Sequence, residues 1–270
     1  MKEIIWLASY PKSGNTWVRL MINAYKTGNL DINNIETTTA DTNKYHYQLV
    51  SPIPVSEMPI MDVFMMRNSA LLHMQYQHRY RPVITKTHCA NIEAISSPMI
   101  PPEWTKSAIH IVRDPRDVAI SFANHMGKTI DETIDLMGND RFVLGKGGKA
   151  PSMLCSWNKH TESWTGENKF PVINIRYEDI KRSPITCLNK IIEWLGLDVD
   201  QERIKKTVDM TTIENLKKEE DKRGFSEKSE HNDRFFRKGI VGEWVDVLTQ
   251  SQASKIVNDH KVMMEYYNYV

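Results

Sequence analysis

The chain has 270 residues, a length at which one α/β domain buries a sizeable core, so a single domain over residues 1–270 is the expectation. Its 35 Lys and Arg against 34 Asp and Glu leave a net charge of +1. That balance excludes a global field that would recruit nucleic acid or an anionic membrane, so any anion site must be local.

The first apolar run, Ile4–Ala8, is too short for a signal h-region or a membrane span, and no later run approaches about 18 uninterrupted apolar residues. Cys89, Cys155 and Cys187 are odd in number, widely spaced and without a CxxC pair. This argues against a disulfide framework or a structural zinc site, and a cytoplasmic protein is expected. Four short β-forming runs, Ile4–Ala8, Val83–Thr85, Ala108–Val112 and Val172–Ile175, read as strands covered on both faces. Helical patterns lie at Thr16–Tyr25, Arg116–Met126, Ser152–Gly166, Pro184–Leu195 and Gln250–Tyr267. The alternation predicts a three-layer α/β fold with a central parallel sheet.

Three stretches interrupt the pattern: 51–69, rich in Pro and Met; 138–151, with Gly138, Gly145, Gly147, Gly148 and Pro151; and the charged run 217–238. The first two read as loops that shape a binding pocket. The third reads as a lid, open or disordered without ligand because so charged a run has little apolar surface to hold it down. Met58, Met61, Met65 and Met66 make either an adaptable apolar surface or core.

After the first strand comes Tyr10-Pro11-Lys12-Ser13-Gly14-Asn15-Thr16-Trp17, then a helix. A strand, a tight turn and a helix start aim backbone N–H groups at one point that suits a phosphate. Gly14 permits close backbone approach, Ser13 and Thr16 add hydroxyls, and Lys12 supplies a mobile charge. A nucleotide kinase loop would read GxxxxGK[ST]; here Lys12 precedes the only Gly, and no Asp pair for magnesium stands out.

At the end of a later strand stands Arg113-Asp114-Pro115-Arg116-Asp117-Val118-Ala119-Ile120-Ser121. Pro115 suits a first helical turn, so Arg113 sits at the strand end and Ser121 about two turns into the helix, a suitable pair for a phosphate dianion. Strand Val83–Thr85 runs into Lys86-Thr87-His88. Alternation points Lys86 and His88 together and Thr87 away, which sets a cation beside a proton acceptor. Arg237-Lys238-Gly239-Ile240-Val241-Gly242-Glu243-Trp244 follows the charged run, and Gly239 after two cations can form an anion-binding nest.

These segments, in this order, resemble the cytosolic PAPS-dependent sulfotransferases. The family's phosphosulfate loop reads YPKSGTTW, and Asn15 is the one difference. The start through YPKSGNTWVR looks still more like bacterial enzymes that sulfate glycopeptide antibiotics. The resemblance implies a sulfotransferase, P-loop-like fold and transfer of a sulfuryl group from PAPS to a hydroxyl or nitrogen of a small molecule, with PAP as product and no metal. It assigns Lys12 to the bridging and sulfuryl oxygens, Trp17 to adenine, Arg113 and Ser121 to the 3'-phosphate, and His88 to the general base. Lys86, on the same face as His88, is a second cation for the leaving phosphate beside Lys12.

It further implies that Arg237, Lys238 and Gly239 close on the 3'-phosphate and that Tyr177, in Arg176-Tyr177-Glu178-Asp179, reaches adenine. Thr211-Thr212-Ile213 matches the family's TSF contact except that Ile213 replaces the aromatic. The family's dimer motif KxxxTVxxxE would fall at 245–254, where Val245 and Ser254 replace its Lys and Glu. The acceptor expectation is a secondary metabolite, phenolic or alkaloid, with a guanidinium toxin of the saxitoxin type as one case. The competing classes are a non-catalytic PAP-binding module and a P-loop phosphotransferase.

Overall fold

A computed structural model describes residues 3–78, 81–94, 97–145 and 150–270, so Gly147 and Gly148 of the glycine-rich stretch lie outside the described residues. The contacts divide the chain into two compact units, each assembled from three separate stretches. One comprises Met1–Tyr10, Thr38–His110 and Met137–Asn174; the other comprises Pro11–Thr37, Ile111–Leu136 and Ile175–Val270.

The described strands are β1 (Ile4–Ser9), β2 (Thr38–Ala40), β3 (Val83–Thr87), β4 (Glu93–Ala94), β5 (Ser97–Pro98), β6 (Thr105–Val112), β7 (Val143–Leu144), β8 (Ser152–Met153) and β9 (Val172–Arg176). The helices are α1 (Asn15–Thr27), α2 (Lys44–Gln48), α3 (Ile60–Gln77), α4 (Pro115–Met126), α5 (Ile130–Met137), α6 (Trp157–Thr165), α7 (Tyr177–Arg182), α8 (Pro184–Trp194), α9 (Gln201–Met210), α10 (Ile213–Arg223), α11 (Trp244–Val247) and α12 (Gln250–Tyr266).

The first unit is built on the central parallel sheet, five strands in the order β2-β3-β1-β6-β9. All six residues of β1 are buried, as a strand covered on both faces requires, which is why its sequence is apolar from Ile4 to Ala8. Ile4, Trp6, Ala8, Val83 and Ala108 of the sheet pack with Phe64, Leu71 and Met74 of α3 and with Trp164 of α6. β1 and β3 pair in parallel from Ile4↔Val83 to Ala8↔Thr87. The next step of that register sets Ser9 against His88.

Two expectations for this unit need correction. The stretch 51–69 is a loop only to Pro59, because a 3-10 turn at Val55–Glu57 leads into α3. Its methionines divide: Met58 and Met66 pack against the Tyr47, Val55, Val63 and Ala70 cluster, whereas Met61 and Met65 are exposed. The helix expected at Ser152–Gly166 begins only at Trp157. Ser152–Met153 pairs with Val143–Leu144 as a two-residue ladder, and Ser156 caps the helix by accepting from the Lys159 N–H.

In the second unit α1 packs on α9, α8 on α7 and α9, and α4 on α11 and α12. α4 starts where the sequence placed it, with Asp114 accepting from the Arg116 N–H and Pro115 in the first turn. The charged run departs from expectation. α10 covers its first part, and Phe225, Phe235 and Phe236 pack on one another and on Leu20, Ile32 and Leu216. Three aromatic rings provide the apolar surface that the charge count concealed. The Glu220 carboxylate accepts from the Phe235 and Phe236 N–H groups at 2.6 and 3.0 Å, which ties the return of the segment to its own helix.

Candidate active site

In the second unit, residues 11–14 lead into α1. Lys12 adopts φ 67° and Gly14 φ 100°, so two left-handed residues on either side of Ser13 bring the chain round to the helix. Gly14 is the N-cap of α1, and it supplies no side chain to the first N–H groups; the first turn carries no acidic residue. A Cβ at Gly14 would stand 2.7 Å from Tyr177 Cδ2, so ring and loop exclude any larger residue here. Ser13 is fully buried and its Oγ has no hydrogen-bond partner among the described residues. A buried hydroxyl without a partner, at a helix start without a cap, is what an anionic ligand group would complete. Asn15 is buried beside it in the first helical turn.

Around this loop stand the residues assigned to adenine and to the 3'-phosphate. Trp17 donates from Nε1 to the Thr211 carbonyl at 2.8 Å, lies edge-on to Tyr177 at 5.9 Å and carries Lys181 Nζ over its ring at 5.5 Å. Ile213 sits against Gly239, where an added Cβ would come within 3.2 Å of it, so the residue that replaces the family's aromatic is packed against the tail turn. Arg113 is the organiser of the cluster. Its Nη1 donates to the Lys12 carbonyl at 3.2 Å and its Nη2 to the Ile240 carbonyl at 3.0 Å, while the guanidinium lies over the Tyr177 ring at 4.4 Å. Its buried Nε has no partner among the described residues. Ser121 lies half-buried in the second turn of α4, as its spacing from Pro115 required.

Internal carboxylates hold several of the donors that the resemblance assigns to a phosphate. Arg237 and Lys238 both close on Glu243, Arg237 Nη1 at 2.7 Å and Lys238 Nζ at 2.9 Å. Burial works to raise the Glu243 carboxyl, and the two cations outweigh it and hold it below its ordinary value. Asp117 accepts from the Gly242 and Trp244 N–H groups at 2.8 and 3.0 Å, with Arg113 Nη2 at 3.6 Å; burial nevertheless pushes its carboxyl up. Glu227 accepts from Thr16 Oγ1 at 3.1 Å and from Arg19 Nη1 at 2.6 Å, so a carboxylate from the charged run rests on a hydroxyl of the phosphate loop. Lys12 Nζ lies 4.2 Å over the Phe235 ring of the same run.

In the first unit, Lys86 and His88 are half-buried while Thr87 and Cys89 are fully buried, the alternation that the KTH segment predicts. His88 Nδ1 lies 2.7 Å from the Ser9 carbonyl oxygen. A carbonyl only accepts, so Nδ1 carries the proton and Nε2 is left as the basic nitrogen. His160 of α6 lies close to His88. It is buried between Tyr10, edge-on at 5.4 Å, and His110 at 5.8 Å, and burial keeps its ring neutral.

Sequence reasoning missed Glu227, Arg19 and Glu243 as partners of the phosphate-loop and tail donors, and Ser9 as the orienter of His88. Ser9 was open to it, since the β1–β3 pairing sets Ser9 against His88. Glu227 was not, because it lies 211 residues from Thr16 in a run with no periodic signal.

The chain resembles known proteins in both sequence and fold. Dog sulfotransferase 1B1 is 26% identical over 273 residues, spanning 93% of this chain and 80% of the relative, and human sulfotransferase 1C2 is 23% identical over 96% of this chain and 82% of its own length. In fold the chain is similar to mouse sulfotransferase SULT7A1 complexed with PAP, with a TM-score of 0.64 at 21% identity over 98% and 85% of the two chains. It is also similar to retinol dehydratase in complex with androsterone and PAP, with a TM-score of 0.63 at 17% identity over 97% and 81%. The model of the family described as a sulfotransferase domain matches residues 2–266, nearly end to end, and the chain belongs to that family.

Proposed function

We propose that this sulfotransferase takes its sulfuryl group from PAPS, leaves PAP, and delivers the group to a hydroxyl or nitrogen of a small molecule, with His88 as the base. The observation that carries the donor assignment is the phosphate loop: Ser13 Oγ buried without a partner at the uncapped start of α1. PAPS supplies a sulfuryl group bonded to a phosphate, so charge develops on the bridging oxygen as that bond breaks. Lys12, whose ammonium rests on an aromatic face, is the mobile cation for that charge, and Lys86 assists it. His88 Nε2 receives the acceptor proton because the Ser9 carbonyl fixes the proton on Nδ1. Trp17 and Tyr177 hold adenine. Arg113, Ser121, Arg237, Lys238 and Gly239 hold the 3'-phosphate, and Ser13, Gly14, Asn15 and Thr16 hold the 5'-phosphate.

The acceptor belongs to secondary metabolism in this reading, as the resemblance of the chain's start to antibiotic-modifying enzymes suggests, with a phenol or alkaloid as its class. Solved relatives hold retinol and androsterone, both small alcohols. No helix among the described residues is long and apolar enough to cross a membrane. All three cysteines are free thiols, which supports a cytoplasmic setting. The test is a panel of phenols, alcohols and guanidinium alkaloids with labelled PAPS, with and without a chelator. Label transfer that survives chelation is expected. Tight PAP binding with no transfer to any acceptor would favour the non-catalytic module.

A second expected result concerns Glu227. Nucleotide must compete with this carboxylate for Thr16 Oγ1, so Glu227→Gln should bind PAP about three- to tenfold more tightly, less so at high salt. Calorimetry at two ionic strengths measures it, and equal affinities for variant and wild type would show that Glu227 leaves the loop without cost.

A further inference from the structure

Below the proposed base lies a buried ion pair that the sulfuryl-transfer chemistry does not use directly. Arg67 of α3 and Asp41, just after β2, are 1% and 2% exposed at their side chains and meet at 2.6 Å. Asp41 Oδ2 also accepts from Thr87 Oγ1 at 2.6 Å, and the Asp41 N–H donates to the Lys86 carbonyl at 3.1 Å. Thr87 Oγ1 in turn accepts from the Cys89 N–H at 3.0 Å. One residue, Asp41, therefore holds the backbone before His88 directly and the backbone after it through the Thr87 hydroxyl. Arg67 is itself anchored, since its Nε donates to the Met99 carbonyl at 3.0 Å.

We infer that Asp41 and Thr87 are positioning residues for the transfer reaction, which fix the turn that carries His88 so that Nε2 meets the acceptor. The inference rests on the assignment of His88 as base. Each contact supports it separately. Thr87 spends its hydroxyl proton on Asp41 and a lone pair on Cys89, so the end of β3 is locked into a single turn; a strand end fastened only by its ladder would fray. The ring is then fastened from the other side by the Ser9 carbonyl at 2.7 Å. With backbone and ring both tied, the base has little angular freedom, the preorganisation that proton transfer rewards. Arg67 pairs with the Asp41 carboxylate, so neither buried charge is left without a counter-charge.

The test uses Thr87, because Asp41→Asn would strand the Arg67 charge and risk unfolding. Thr87→Val keeps the side-chain shape and removes only the hydroxyl, while Thr87→Ser keeps the hydroxyl. Single-turnover rates with saturating PAPS, normalised to molecules that bind PAP, should fall about tenfold in Thr87→Val and recover in Thr87→Ser, with PAP affinity unchanged. In a His88→Ala background the same Val substitution should change nothing further, since both changes remove one function. A wild-type rate in Thr87→Val, or an undiminished tenfold loss in the His88→Ala background, would overturn the inference. A His88→Ala protein as fast as wild type would instead overturn the base assignment beneath it.

Discussion

His88→Ala should lower turnover by at least about 10²-fold while PAP affinity stays within a few-fold, because a positioned base contributes to the chemical step and does not touch the nucleotide. The geometry sharpens this expectation. The 2.7 Å contact to the Ser9 carbonyl makes Nδ1 the donor and leaves the basic nitrogen already chosen before any acceptor binds. The pH dependence then reports on the acceptor. A phenol ionises in part without help, so the deficit of the variant should shrink as pH rises. An alcohol, or the nitrogen of a carbamoyl group, offers no such route and the deficit should persist. Steady-state rates against pH for both acceptor types measure this. Full activity of His88→Ala toward a non-acidic acceptor at neutral pH would remove His88 from the reaction and leave Lys12 and Lys86 as the whole catalytic account.

How far the sequence reached depended on whether the relevant signal was local. β1 and β3 were visible because strands covered on both faces are continuous apolar runs, and α4 because its cap and first-turn proline sit together. α3 was missed over its whole length, Ile60–Gln77, for the opposite reason. Val63, Phe64 and Ala70 face the core, while Met61, Met65, Leu72 and Tyr76 are apolar and exposed, so the helix lacks the two-faced contrast that a periodic reading needs. The proline and methionine content then read as loop. The lid was misjudged because Phe225 stands ten residues from Phe235 and eleven from Phe236, and only the folded chain brings the three rings together.

The site divides in the same way. The phosphate loop, the KTH turn and the tail turn were legible as short strings whose backbone geometry follows from a few residues. Their partners were not. Asp41 reaches Thr87 across 46 residues and Arg67 across 26, and an acid and a base at such separations carry no sequence signal of their pairing. The carboxylates on the anion-seeking donors make a related point. A local cation pair such as Arg237 and Lys238 announces an anion site, yet Glu243, six residues on from Arg237, already closes on both.

Arg113→Ala should weaken PAP binding by about ten- to a hundredfold, the loss of one or two charge-assisted hydrogen bonds to a phosphate. The structure gives Arg113 a second duty, however, since its two Nη atoms tie the Lys12 carbonyl of the phosphate loop to the Ile240 carbonyl of the tail. The two roles separate in a ligand that lacks the 3'-phosphate. If Nε and the remaining N–H groups contact that phosphate, the substitution should cost PAP far more than adenosine 5'-phosphate. If Arg113 acts only as a tie, both nucleotides should lose affinity equally, and hydrogen exchange of the tail turn should rise in the free protein. Arg113→Lys refines the comparison: an ammonium keeps the charge but cannot span both carbonyls and a phosphate, so it should recover only a small part of the lost affinity. Calorimetry with the two nucleotides on wild type, Arg113→Ala and Arg113→Lys decides the matter. Equal PAP affinity in wild type and Arg113→Ala would remove Arg113 from the 3'-phosphate site altogether.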